Sequence, residues 1–126
     1  MAYANGRLPR SALAPITKAV NGQQAYLRKD AAAAFMAMNA ESERVYGVTL
    51  RVSSARAAYR PLADQDYFWG LWIRGRGNLA ARPGTSNHGW GIAVDLATPR
   101  MRSIVNQIGA KYGWAKKWSD ASSEWW

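Results

Sequence analysis

Apolar and polar positions change period several times along this chain, and each change marks an element. From Asp30 to about Val45 the sequence is alanine-rich and of high helix propensity, with Asp30 placed to cap the start and Gly47 to stop the helix. Phe35, Met36 and Met38 supply its apolar contacts. Val48, Leu50 and Val52 then alternate with Thr49, Arg51 and Ser53, a period of two that predicts a half-buried strand. In a second helix over 62–73, Tyr67, Phe68, Leu71 and Trp72 form one broad apolar stripe. A glycine-rich stretch follows from Gly75 to Gly89, and a loop of that length in a small domain is more often functional than idle. Ile92, Val94 and Leu96 read as a short strand, residues 100–109 as a helix with Ile104, Val105 and Ile108 inward, and Gly113-Trp114 as the start of a last strand. Residues 1–28 are weakly periodic and read as an arm laid over the domain. Strands interleaved with helices, without a regular βαβ period, predict an α+β fold: a small antiparallel sheet with flanking helices.

Composition narrows this picture. A chain of 126 residues, 48% hydrophobic and with seven tryptophans, fits a single domain over 1–126 with one core. The tryptophans are expected to serve mostly as core and cleft wall. With no cysteine, neither disulfides nor a thiolate metal site can staple the fold, so any metal must be held by His, Asp, Glu and water. No apolar run approaches the roughly 18 residues of a membrane span, and the start shows no secretory signal. Synthesis in the cytoplasm is therefore expected. Seventeen Lys+Arg against eight Asp+Glu give a net charge of +9, which implies an anionic partner: nucleic acid, lipid or cell wall. The basic residues are dispersed, and no helix-turn-helix or aromatic RNA-binding signature accompanies them, so nucleic acid is not expected.

The chemistry concentrates in Ser86-Asn87-His88-Gly89-Trp90-Gly91-Ile92-Ala93-Val94-Asp95. To share one zinc ion, His88 and Asp95 must bring donor atoms within ~3–4 Å of each other. Fully extended, the intervening chain would separate their alpha carbons by roughly 23 Å; as a helix, by about 10 Å. A shared ion therefore requires the chain to fold back, and Gly89 and Gly91 permit a tight reversal. Spacing alone leaves a second reading open, a surface histidine with Asp95 at a strand end.

The pattern S-x-H-x-x-G-x-A-x-D resembles the first metal motif of the LAS metallopeptidases, the group of lysostaphin-type enzymes, D-Ala-D-Ala peptidases and hedgehog signalling domains. Ser123-Glu124-Trp125-Trp126 is similar to the family's closing E-x-W-H element without its histidine, and Ala58-Tyr59-Arg60-Pro61-Leu62-Ala63-Asp64-Gln65 resembles its G-Y-R-S-x-x-x-Q stretch, with Pro61 as a departure. The start, Asn5-Gly6-x-Leu8, looks like that of actinobacteriophage endolysins carrying this domain. The resemblance implies a hedgehog/D-Ala-D-Ala-peptidase-like fold and a zinc ion held by His88, Asp95 and a histidine just beyond Trp126, so that this chain alone is expected to hold zinc weakly. It further implies Glu124 as general base, Arg60 facing the substrate carbonyl, and Ser86 and Gln65 on the substrate. The implied activity is hydrolysis of a peptidoglycan stem peptide, at L-Ala–D-Glu or a similar bond first and at D-Ala-D-Ala second, by a monomer acting on the cell wall. The alternative is an inactive wall-binding or protein-binding module of the same fold.

Overall fold

The computed structural model describes residues 3–116 and 122–125. Its centre is helix α1 (Lys29–Tyr46), which buries Ala31, Ala32, Phe35, Met38, Asn39 and Ser42 along one stripe at helical spacing. The small alanines let a β-hairpin approach closely, and Phe35 meets Trp114 edge-on with ring centroids 5.8 Å apart. Met36, expected as a contact of this helix, is exposed. Asp30 is not the cap either: the helix starts one residue earlier, and the Asp30 carboxylate accepts from Ala31 N and pairs with Arg28 at 2.7 Å.

Within the expected arm, residues 13–28 form a hairpin, β1 (Leu13–Lys18) against β2 (Gln24–Arg28), antiparallel and irregular between Pro15 and Lys18. Its inward residues Ile16, Ala25 and Leu27 join the main core. The connection contains Asn21-Gly22, with Gly22 at φ 89° where a side chain would be strained. That dipeptide between apolar alternations is the sequence signal the arm reading missed.

Residues 48–53 keep the expected alternation, with Leu50 and Val52 fully buried, but they form no ladder. Side chains take several of their backbone groups. Asn39 Oδ1 accepts from Leu50 N, Ser42 Oγ donates to Val48 O, and Thr17 Oγ1 donates to Leu50 O. A single bridge joins Val52 to Leu96. Helix α2 (Leu62–Ile73) has the expected bounds but not the expected buried stripe. Its one buried residue is Gln65, and Tyr67 is 49% exposed. Arginines cover the aromatic faces instead of a core: Arg56 lies 4.8 Å over Tyr67 and Arg60 4.6 Å over Phe68.

A second sheet has the order β3-β5-β4, from β3 (Ala93–Asp95), β4 (Trp114–Lys116) and β5 (Ser122–Trp125), all pairs antiparallel. Helix α3 (Pro99–Ile108), capped by Thr98 Oγ1 on Met101 N, seals the core with Ile104, Val105 and Ile108 as expected. No helix among the described residues is long and apolar enough to cross a membrane.

Two predictions follow from this packing. Replacing Asn39 by Ala leaves Leu50 N–H buried without its acceptor and should cost about 1–3 kcal/mol in urea unfolding. Glu41 accepts from Lys111 Nζ at 2.6 Å and from Tyr112 Oη at 2.6 Å, tying α1 to the turn before β4. Those hydrogen bonds hold its carboxyl below the usual glutamate value. The stabilisation is thus present above that ordinary value and lost as pH falls through the depressed one. Thermal melts should show wild type above Glu41→Gln at neutral pH, with the gap closing in acid.

Candidate active site

Pairing in the second sheet assigns each residue of β3 and β5 to a face. Ala93 lies opposite Glu124 and Asp95 opposite Ser122, while Ala115 on β4 also faces Glu124. Side chains directly opposite share a face, and so do positions two apart. Ala93, Asp95, Glu124 and Ala115 therefore share one face. Val94, Ser123 and Trp114 share the other, where Val94 and Trp114 enter the core. Asp95 and Glu124 are diagonal neighbours, with beta carbons ~7–8 Å apart or slightly less. Glu124 is 3% exposed.

His88 reaches the same face from a 3₁₀ turn, Asn87–Trp90. Ser86 Oγ caps the turn by accepting from His88 N at 3.2 Å. The turn ends at Gly91, with φ 71°, and Arg28 N donates to Gly91 O at 2.9 Å. A Cβ on Gly91 would lie 2.7 Å from Arg28 N, so both the dihedral and the close approach demand glycine. The chain then enters β3, and the reversal brings His88 Nε2 to 3.4 Å from Asp95 Oδ2. His88 Nδ1 lies 3.0 Å from Ala58 O. A carbonyl only accepts, so Nδ1 carries the hydrogen, and in the neutral ring Nε2 turns a lone pair toward the carboxylate.

Arg60 completes the cluster, its Nη2 3.5 Å from Asp95 Oδ2. Its Nε donates to Arg56 O, and its backbone N donates to His88 O at 3.0 Å. Burial lowers its pKa while Asp95 and Asp64 oppose the shift; guanidinium stays charged regardless. Burial alone would raise the Asp95 carboxyl; when His88 is protonated on both nitrogens, its hydrogen bond and charge, together with the charge of Arg60, outweigh burial and hold the group below the usual range.

Gln65 and Ser86, both expected on the substrate, are buried and hydrogen-bonded within the protein. The Gln65 side chain is 2% exposed, and its amide is committed internally, donating to Asn5 Oδ1 and Arg60 O and accepting from Gly84 N. Ser86 is buried with its oxygen engaged as the cap. Asn5, which sequence reasoning passed over as a site residue, is buried and donates to Ser86 O at 2.7 Å. On the flank of the turn, Trp90 borders a cleft of about 580 Å³ shared with Tyr3, Leu8, Arg28 and Asp30, and neither His88, Asp95 nor Arg60 lines it.

The donor set suits zinc. Bonds of ~2.0–2.1 Å in tetrahedral geometry put neighbouring donors about 3.3–3.4 Å apart. Two acceptors facing each other at 3.4 Å suit a cation held between them. The Ala58 carbonyl on the other ring nitrogen is the second partner that orients a ligating imidazole. Among the described residues no group of three or more His, Cys, Asp and Glu side chains could hold a metal. Trp126, beside which the third ligand was expected, lies outside the described residues.

No curated protein sequence matches the chain. Solved structures do. The LdcB LD-carboxypeptidase, whose structure is described as revealing the molecular basis of peptidoglycan recognition, superposes with a TM-score of 0.72 at 19% identity, over 95% of this chain and 70% of its own. VanYB in complex with D-alanine-D-alanine gives 0.66 at 15% identity, over 94% and 80%. A glutamate-to-alanine variant of the vancomycin-resistance D,D-pentapeptidase VanY in complex with Zn(II) gives 0.63 at 15%, over 94% and 82%. These identities carry the fold; membership rests on the model of the family described as VanY, D-alanyl-D-alanine carboxypeptidase, which matches residues 24–124. The chain belongs to the VanY family of D-alanyl-D-alanine carboxypeptidases, and with it to the LAS-type peptidases that its His88–Asp95 motif resembles.

Proposed function

We propose that this domain is a zinc-dependent hydrolase of peptidoglycan stem peptides. The observation that carries the reading is the pair His88 Nε2 and Asp95 Oδ2, set 3.4 Å apart on the sheet face that also bears Glu124, with the Arg60 guanidinium beside them. His88 and Asp95 would hold the ion. Bound zinc supplies Lewis acidity toward water and the scissile carbonyl. Glu124 takes the proton of the attacking water on a carboxylate oxygen as the water oxygen bonds to the carbonyl carbon. It returns that proton to the amide nitrogen as the C–N bond breaks. Arg60 donates N–H groups to the oxygen that gains charge, a role worth roughly 3–4 kcal/mol at comparable sites. The fork is held by Arg56 O and backed by Phe68, which limits its freedom before substrate arrives.

Of the bonds the sequence left open, removal of a terminal D-alanine is favoured. The family model carries that activity, and one fold relative is described with D-alanine-D-alanine bound. The L-Ala–D-Glu cut, and with it a role as a phage endolysin, is the alternative. The charge of +9 suits an anionic wall under either reading.

Mass spectrometry of a pentapeptide stem incubated with the protein and excess zinc separates these readings. Loss of one alanine supports the carboxypeptidase, and release of the peptide from L-alanine supports the endopeptidase. A protein that sediments with purified wall but yields no product is a binding module. Glu124→Gln should retain zinc in a calorimetric titration yet lose about 10²–10⁴-fold in turnover; parental turnover would remove Glu124 from the role of base. His88→Ala and Asp95→Asn should each weaken zinc binding by more than the ~10–100-fold typical of an outer partner. Unchanged affinity in either variant would place the ion elsewhere.

A further inference from the structure

The turn that carries His88 is fastened to the segment that carries Arg60 through a residue near the start of the chain. Asn5 Nδ2 donates to Ser86 O at 2.7 Å, and Asn5 Oδ1 accepts from Gln65 Nε2 at 3.0 Å. Gln65 Nε2 also donates to Arg60 O, and Gln65 Oε1 accepts from Gly84 N. Backbone carbonyls and an N–H of fixed polarity end this chain of bonds, so the orientation of both amides follows from it. The neighbouring backbone repeats the connection: Gly6 N donates to Gly89 O at 2.8 Å, and Leu62 N donates to Gly6 O at 3.1 Å. Contact is close enough that a Cβ on Gly89 would overlap Asn5 Oδ1 and Gln65 Nε2.

We infer that Asn5 is a positioning residue for the site: its amide locks the Ser86–Gly89 turn against Gln65 and so fixes His88 relative to Arg60. Burial makes the lock selective. Asn5 and Gln65 are both buried, and each donor or acceptor left open there would lose its partner without gaining water. Ser86 O and Arg60 O, the two carbonyls it holds, flank the residues whose side chains meet at Asp95. The inference deepens the peptidase reading and rests on it for its kinetic consequence, while the lock itself can be measured without activity.

The test uses Asn5→Ala and the nearly isosteric Asn5→Asp in the full chain, with Ile108→Ala as a control that loosens the core away from the turn. Asn5→Asp keeps the acceptor for Gln65 but turns an acceptor toward Ser86 O. Amide exchange at Gly89 and Arg60, whose N–H groups bond Ser86 O and His88 O, should accelerate on the order of tenfold in both Asn5 variants and not in the control. His88 is the single histidine, so its imidazole resonances are identified without ambiguity and should shift or broaden in the same two variants. Turnover of a stem peptide at saturation should fall about 10–100-fold with KM held within about twofold. Unchanged exchange and an unchanged imidazole signal in Asn5→Asp overturn the lock. Accelerated exchange with parental turnover overturns the positioning role. If wild type cleaves no stem peptide, the peptidase reading has failed, and the exchange and imidazole measurements still decide whether Asn5 holds the turn.

Discussion

A reversal of the chain between His88 and Asp95 is the constraint on which the site depends. Seven positions of extended backbone would carry their side chains out of reach, so the turn must be tight and must end in a conformation closed to most residues. Gly91 supplies it at φ 71°, and the close approach of Arg28 holds it there. Because Arg28 ends strand β2 and precedes α1, the reversal is braced by the hairpin and the central helix together. The position of His88 is thus set by elements distant from it in sequence.

The second sheet serves two purposes with very short strands. Alternation sends Val94 and Trp114 into the core and leaves Ala93, Asp95 and Glu124 on the opposite face. Core packing therefore orients the acidic side chains, since a one-residue slip in β5 would exchange the two faces. A buried carboxylate ordinarily gains protons, and Asp95 resists because the charges of Arg60 and of a protonated His88 both address its Oδ2. The apolar core lies on the other side of the sheet.

Side-chain amides make the connections at two buried places. Asn39 substitutes for a strand partner of residues 48–52, and Asn5 with Gln65 substitutes for a sheet edge beside the turn. In both places buried backbone groups need partners, and an amide offers donor and acceptor within one rigid plane. This explains why the alternation at Val48–Val52 was legible while its strand was not. Period two reports burial, whereas a ladder also requires a neighbouring backbone free to pair. Helix α2 fails in the complementary way. Its apolar spacing is genuine, yet arginines from the preceding segment cover Tyr67 and Phe68, a contact that helical periodicity does not encode.

Local sequence determined what depends on local physics: the bounds of α2, the inward face of α3, the helix of residues 29–46, and the fixed spacing that points to His88 and Asp95. A motif of five fixed positions is legible because a reversal, two donors and a strand entry constrain nearby residues. Tertiary structure decided the rest. It made residues 13–28 a hairpin rather than part of an arm, although Asn21-Gly22 marked the turn. It buried Gln65 and Ser86 beside the site, and it brought Asn5 against them from a distant stretch of the sequence. Those placements depend on which distant backbone groups remain unpaired once the core has closed, and that is a property of the packed chain, not of any segment within it.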